Sequence, residues 1–493
     1  MSRRPMHDMI IVLPGIMGSV LTRHGREVWA PSLMAVARVL QREALVRELM
    51  LDGDDPDLPF LDDGVVATRI MPDAHLIPGF WKIDGYSALL QSLQTEFEVT
   101  VGDVYQPYPH ANLFPFPYDW RRDNRATAQR LRTFVAQQLP VWRERSGNAR
   151  AKVIIIAHSM GGLVARYYLE MLGGWEYCQA LFTLGTPHRG SLNALNYISN
   201  GKSFFGLVDV SPALRSYTSV YQLLPIYEVI QHGDRYLRVT DVEQIEHVSR
   251  SRALAAANEF HHRIEVAASQ RAASPHASAY VSVLIIGTQQ LTAQSAVLSG
   301  SQIHVKNHLP LDLQQRHVRD FGDNTVPFYA ALPPGARKND LQPIFVPQSH
   351  SGLQQHPHVL QHLHDHLQLL QVTGSVLGTG TLAAAQPDLS VVSSGQPALR
   401  LLLDDVYTTD GGQIRVEVID TTDPGPLTAQ IEPLAEDQPV LRQSLVVRDG
   451  AWVLDLEHPQ PGVYRVIIEP FQSGPRIPSA VSDIFEVIDP ARG

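Results

Sequence analysis

The chain has a single cysteine, Cys178, so no disulfide can form within it. A lone thiol suits a reducing compartment, and the expected setting is cytoplasmic. Long apolar runs are also missing. No stretch approaches the roughly 18 unbroken apolar residues of a membrane span, so no transmembrane helix is expected. Positive charge is in deficit, with 40 Lys and Arg against 50 Asp and Glu, and the net charge of −10 argues against a nucleic-acid surface and against broad docking on anionic lipid. Any membrane contact has to be local and apolar. The opening "MSRRPMHDMIIVLPG" has the basic-then-apolar order of a leader peptide. Its apolar run is only "MIIVL" and no small-residue cleavage site follows, so it reads as a first strand.

What is present is an alternation of short apolar runs with longer amphipathic ones. "MIIVLPG", "FEVTVGDV", "KVIIIAHS", "ALFTLGTP" and "VSVLIIGT" are separated by helical patterns such as "GYSALLQSLQTEF" and "ATAQRLRTFVAQQL". Strands without polar alternation, spaced by helices, predict a parallel sheet covered on both faces, hence an α/β domain over residues 1–373. Two insertions, about 30–85 and 190–275, break the rhythm and are candidates for a lid and a cap; the second is expected to be helix and loop. Residues 374–398 are small and flexible, as in a linker. From 399 to 493 the pattern changes to alternating strands broken by Gly, Pro and Asp turns, which predicts an all-β sandwich of immunoglobulin-like kind.

"KVIIIAHSMGGLVARYYLE" runs from strand to helix through a serine. Ala157, Ser159 and Gly161 have small-x-Ser-x-Gly spacing, and no other serine has Gly or Ala two before it and Gly two after. This is the pattern of a nucleophile elbow, where small neighbours let backbones approach and the hydroxyl stands above the sheet. A serine needs a base oriented by a carboxylate, in the chain order Ser, acid, His for such a fold. "DFGDNTVPF" offers Asp323, with Asp320 as rival, and "PIFVPQSHSGLQQHP" offers His350, with His356 as rival. Asp323 sits in the turn that leads to Pro327, and His350 lies directly after a strand-like run. His158 is expected to be a packed, hydrogen-bonded histidine, since sequence neighbours on a strand point to opposite sides.

Acyl transfer also needs donors for a developing oxyanion. One is the backbone N–H of Met160 at the start of its helix; "LPGIMGS" offers a second, from Ile16. His358, His362 and His366 share one helical face, but no metal motif or cysteine cluster accompanies them, so a solvated face is expected and neither metal nor cofactor is assigned.

With these motifs in hand, the chain resembles the lecithin:cholesterol acyltransferase family, which includes lysosomal phospholipase A2 and many bacterial lipase-like members. The matching residues are "VLPGIMGSVL", "FPYDWRRD", "AHSMGG", "LGTPHRGS" and "GDNTVP", in family order over roughly residues 10–370. The resemblance implies an α/β-hydrolase with Ser159, Asp323 and His350 as triad, Ile16 and Met160 as oxyanion-hole residues, and Asp119, Trp120 and Arg121 as structural support. It does not extend to the signal peptide and lid disulfide of secreted members, and the sandwich lies outside it. Trp81 in "IPGFWK" or the helix after Pro31 is the candidate lipid-facing element, with core packing as the other reading of either.

The expected function is a serine-dependent acyl-ester hydrolase of lipase or phospholipase A type, with acyltransferase activity as a variant of the same chemistry. The alternatives are a soluble carboxylesterase and a partner-regulated effector whose sandwich is the binding module.

Overall fold

The apolar runs assemble into one sheet. In the computed structural model of the chain, β1 (Met9–Leu13), β2 (Leu113–Pro115), β3 (Val153–His158), β4 (Cys178–Leu184), β5 (Val281–Gly287) and β6 (Leu341–Val346) form a six-stranded sheet in the order β6-β5-β4-β3-β1-β2. All its pairings are parallel. The structure describes residues 3–30, 42–72, 85–106, 109–204, 208–315, 321–334, 341–373, 397–404, 406–421, 424–434, 439–472, 474 and 477–489. Every residue of β1 and β3 is buried, and a strand covered on both faces has no reason to alternate.

Helices make the crossovers. Asn124–Ser146 begins where the Asp123 carboxylate accepts the Arg125 N–H, and it stops at Gly147 with φ 67°. It packs on Met160–Met171, which joins β3 to β4 and is buried from Met160 to Glu170. A helix apolar on nearly all sides belongs inside the domain.

The expected strand "FEVTVGDV" is not in the central sheet. Phe97 and Val101 make only isolated bridges, to Arg4 and Leu113, and the outer strand beside β1 is Leu113–Pro115. Prolines at 115 and 117 disguise that run, yet proline is tolerated on a sheet edge, where no neighbour needs its N–H.

Just before the first insertion Ser19–Arg23 pairs antiparallel with Arg26–Trp29, and also with Val65–Ile70 inside it. Trp81 and the helix expected after Pro31 lie outside the described residues. The second insertion is more than helix and loop. Its hairpin of Ile230–His232 and Arg235–Leu237 joins Ser295–Ser299 and Gln302–Lys306 in a four-stranded sheet. Runs of three residues are too short to show a period.

Residues 374–396 of the expected linker lie outside the described residues. Beyond them β7 (Ala398–Leu402), β8 (Val406–Thr408), β9 (Gly412–Ile419), β10 (Leu427–Pro433), β11 (Leu441–Ser444), β12 (Val446–Arg448), β13 (Ala451–Leu456), β14 (Gly462–Pro470) and β15 (Val481–Ile488) form two sheets, β7-β9-β13-β12 and β8-β15-β14-β10-β11. All pairings are antiparallel except β8 with β15. Leu399, Ile414, Val416, Val466, Ile468 and Phe485 fill the space between them. Ile484, on β15, packs instead into the core of the α/β domain.

Candidate active site

The chain leaves β3 at His158 and starts a helix at Met160, so Ser159 alone makes the turn, with φ 53° and ψ −125°. Positive φ at a non-glycine residue is costly and persists only where the surroundings enforce it. Here the Ser159 N–H is held by the Leu184 carbonyl at 2.8 Å and the Ser159 carbonyl accepts the Gly162 N–H at 3.0 Å. The backbone of β1 passes close by: a Cβ on Gly161 would lie 2.5 Å from the Pro14 carbonyl oxygen, so only glycine fits.

Asp323 and His350 arrive from the loops after β5 and β6. His350 Nε2 lies 2.9 Å from Ser159 Oγ, and His350 Nδ1 lies 2.7 Å from Asp323 Oδ2. The other carboxylate oxygen of Asp323 accepts the N–H groups of Thr325 at 3.0 Å and Val326 at 2.7 Å. One side chain therefore both caps its own turn and meets the imidazole. The His350 N–H also donates to the Asp323 carbonyl at 2.7 Å, which ties the two loops through backbone. All three side chains are buried, Ser159 at 4%, His350 at 3% and Asp323 at 1% exposure, so the bonds between them face little competition from bulk water. Beneath the pair is Gly185, with φ 58°, where a Cβ would come within 2.9 Å of both Asp323 Oδ2 and His350 Nδ1. Of the rivals, Asp320 lies outside the described residues. His356 is buried, and burial together with neighbouring His358 lowers its pKa to about 4.

"LPGIMGS" closes over the serine. A Cβ on Gly15 would sit 2.9 Å from Ser159 Cβ, which places this loop against the Ser159 side chain. The loop is a turn in which the Gly18 N–H reaches the Gly15 carbonyl at 3.0 Å and Met17 adopts φ 61°. The Gly15 N–H is engaged by the Tyr86 hydroxyl at 2.8 Å, and that hydroxyl also lies 2.9 Å from His158 Nδ1. A hydroxyl that accepts from Gly15 has its own proton for His158. His158 Nδ1 is then the acceptor, and its Nε2–H donates to the His350 carbonyl at 3.2 Å. Burial, with His350 next to it, holds His158 well below the usual histidine range, which fits this neutral form. Met160 is the first residue of its helix, where N–H groups have no intrahelical acceptor.

Residues 118–121 support that loop. The Tyr118 hydroxyl donates to the Pro14 carbonyl at 2.8 Å, and Trp120 Nε1 donates to the Ser19 carbonyl at 3.0 Å. Arg121 forks onto both oxygens of Asp119, at 2.9 and 2.7 Å, and reaches Asp63 of the first insertion at 2.7 Å. Burial opposes charge on this guanidinium, but the two carboxylates outweigh it and raise its pKa. Burial likewise works against ionised Asp63, and Arg121 overcomes it and lowers the Asp63 pKa.

The expected histidine face is only partly solvated. His358 and His362 are exposed, but His366 is buried with its ring 6.0 Å from that of Phe182. A helix lying on the domain turns one side inward, and a three-histidine pattern does not reveal which. Tyr86, Gln290, Gln348 and Ser482 around the site carried no motif; each meets a partner there across long sequence separation.

A parallel sheet with a strained serine between strand and helix, and an acid and a histidine on later strand-end loops, defines the α/β-hydrolase class. Within it, residues 89–283 match the family model of lecithin:cholesterol acyltransferase. The match includes Ser159 and residues 118–121 and ends before Asp323. Among solved structures the chain is similar to one described as a Tle4-Tli4 complex, at 14% identity and TM-score 0.42, covering 76% of this chain and 98% of that one. It is also similar to the lipase BlEst2 of Bacillus licheniformis in propeptide form, at 11% identity and TM-score 0.34, covering 97% and 93%. A third is phospholipase PlaB of Legionella pneumophila, at 11% identity and TM-score 0.25, covering 82% and 89%. No curated protein matched the chain.

Proposed function

We propose that the protein hydrolyses acyl esters of phospholipids, with Ser159 as nucleophile, His350 as general base and acid, and Asp323 as the group that orients and stabilises the imidazole. The observation that carries this reading is the continuous relay from Ser159 Oγ to His350 Nε2, 2.9 Å, and from His350 Nδ1 to Asp323 Oδ2, 2.7 Å. As Ser159 Oγ bonds to the ester carbonyl carbon, its proton passes to His350 Nε2. The carbonyl π-electrons move onto oxygen, and the N–H groups of Ile16 and Met160 are the proposed donors to that oxyanion. Collapse of the intermediate breaks the ester C–O bond, and His350 returns the proton to the leaving lysophospholipid oxygen. Water then attacks the acyl-enzyme, His350 takes its proton, and fatty acid leaves as Ser159 is re-protonated. An acceptor alcohol in place of water gives acyl transfer by the same steps.

Phospholipid as substrate is supported by the family match. The test is product analysis by mass spectrometry on phospholipid vesicles and on a water-soluble ester. Fatty acid plus lysophospholipid from wild type, none from Ser159→Ala, and a rate that climbs at the vesicle surface is the expected result. Turnover of the soluble ester with no gain at an interface would overturn the lipid assignment and leave a carboxylesterase.

A further inference from the structure

The C-terminal sandwich bonds to both loops that carry the acid and the histidine. From β15, the Ser482 carbonyl accepts the Ser349 hydroxyl at 2.6 Å. The Ser482 N–H donates to Gln348 Oε1 at 3.2 Å, and Gln348 Nε2 reaches the Ser482 hydroxyl at 3.3 Å. Next to it, Asp483 Oδ1 accepts the Ser351 hydroxyl at 3.2 Å, so residues on both sides of His350 are attached to one strand. Asp483 Oδ2 faces Asn324 Nδ2 at 3.4 Å, and Asn324 follows Asp323 directly.

The other sheet reaches the acid loop from a second direction. Gln290 Nε2 donates to the Leu399 carbonyl of β7 at 3.1 Å, and Gln290 Oε1 accepts the Leu401 N–H at 3.2 Å. The Gln290 backbone in turn exchanges hydrogen bonds with Gly322, the residue before Asp323, at 3.0 and 3.2 Å. Gln348, Ser349, Ser351, Gln290 and Asp483 are all buried, where a hydrogen bond fixes geometry because no water can replace it. Ile484 beside them packs into the α/β core, so the two parts share apolar contact as well.

We propose that the sandwich is a clamp on the acid and histidine loops, and that Asp483 is a positioning residue bridging them through Ser351 and Asn324. This rests on the catalytic roles proposed above for Ser159, Asp323 and His350. The clamp makes the sandwich part of the catalytic unit and not a free binding module. Its effect falls on alignment of the imidazole, hence on turnover more than on substrate binding.

The test uses the full chain, with Asp483→Ala, Asp483→Asn, Ser351→Ala and Ser159→Ala beside wild type. The readouts are kcat and KM on a soluble ester, the rate of modification by a fluorophosphonate, and the thermal melt. Asp483→Ala should lower kcat and the modification rate by about tenfold or more while KM stays within about twofold. Asp483→Asn keeps Oδ1 as acceptor for Ser351 and for the Ile484 N–H, 2.8 Å away, but turns a donor toward Asn324 Nδ2, so it should recover only the part of the loss that the Ser351 bond carries. Should Asp483→Ala fail to fold, Ser351→Ala decides: it removes one hydroxyl and should lower kcat several-fold with the melt unchanged. A folded Asp483→Ala, or in its absence a folded Ser351→Ala, with wild-type kcat overturns the clamp. An active Ser159→Ala overturns the triad reading instead, so the two failures are distinct.

Discussion

Replacing Asp323 by Asn and by Ala should separate its two roles. One oxygen accepts two backbone N–H groups, from Thr325 and Val326, while the other faces His350 Nδ1 at 2.7 Å. In Asp323→Asn the amide has one acceptor and one donor end, and two N–H groups outvote one imidazole for the acceptor. The NH2 is then turned to His350, whose Nδ1 must accept and whose proton moves to Nε2, where it blocks transfer from Ser159. A wrong tautomer of this kind costs on the order of 10⁴-fold in kcat while the fold is kept. Asp323→Ala should lose activity comparably and also strand two backbone donors, at about 1–3 kcal/mol for each buried group left unsatisfied. Steady-state hydrolysis of a chromogenic ester gives the first quantity, and urea denaturation gives the second. Activity of Asp323→Asn within tenfold of wild type, or equal destabilisation by both substitutions, would refute this division of labour.

Three further outcomes follow from the surroundings of the site. Arg121→Ala leaves Asp119 and Asp63 without their guanidinium and should destabilise by roughly 3 kcal/mol in chemical denaturation, with Arg121→Lys unable to restore the fork onto Asp119. Tyr86→Phe removes the hydroxyl shared by the Gly15 N–H and His158; kcat should fall more than KM changes, with a stability loss of about 1–3 kcal/mol by thermal melt. Burial lowers the pKa of His158, His188, His261 and His356, the last two to about 4. These groups stay neutral when folded but bind protons when unfolded below about 6.5, so stability should be full above that pH and fall steadily from about 6.5 towards 4. Denaturation midpoints that hold level or rise as pH falls over that range would contradict this sign.

Much of the sheet is legible because strands buried on both faces leave uninterrupted apolar runs, as "MIIVL" and "VIIIAH" do. Ser159 stands out for a steric reason: the turn admits only small neighbours, and backbone 2.5 Å from where a Gly161 Cβ would lie enforces it. Chain order singles out Asp323 and His350, together with the turn before Pro327 for the acid and the preceding strand-like run for the histidine. The rest depends on encounters that sequence does not encode locally. Leu113–Pro115 hides behind its prolines, while His366 faces inward on a helix that gives no local sign of it. Tyr86 reaches Gly15 from 71 residues away, and Asp483 reaches Asn324 from 159. The sandwich is visible as a change of period from linker to alternating strands, but its attachment to the histidine loop is made by serines, a glutamine and an aspartate that would pass for ordinary surface residues.

The most direct test of the account is the site of covalent capture. Purified protein treated with a fluorophosphonate should take up one equivalent on the peptide containing Ser159, and His350→Ala should slow that modification by several orders of magnitude while remaining folded. Modification at another serine, or at Ser159 with the same rate in His350→Ala, would contradict the proposed relay.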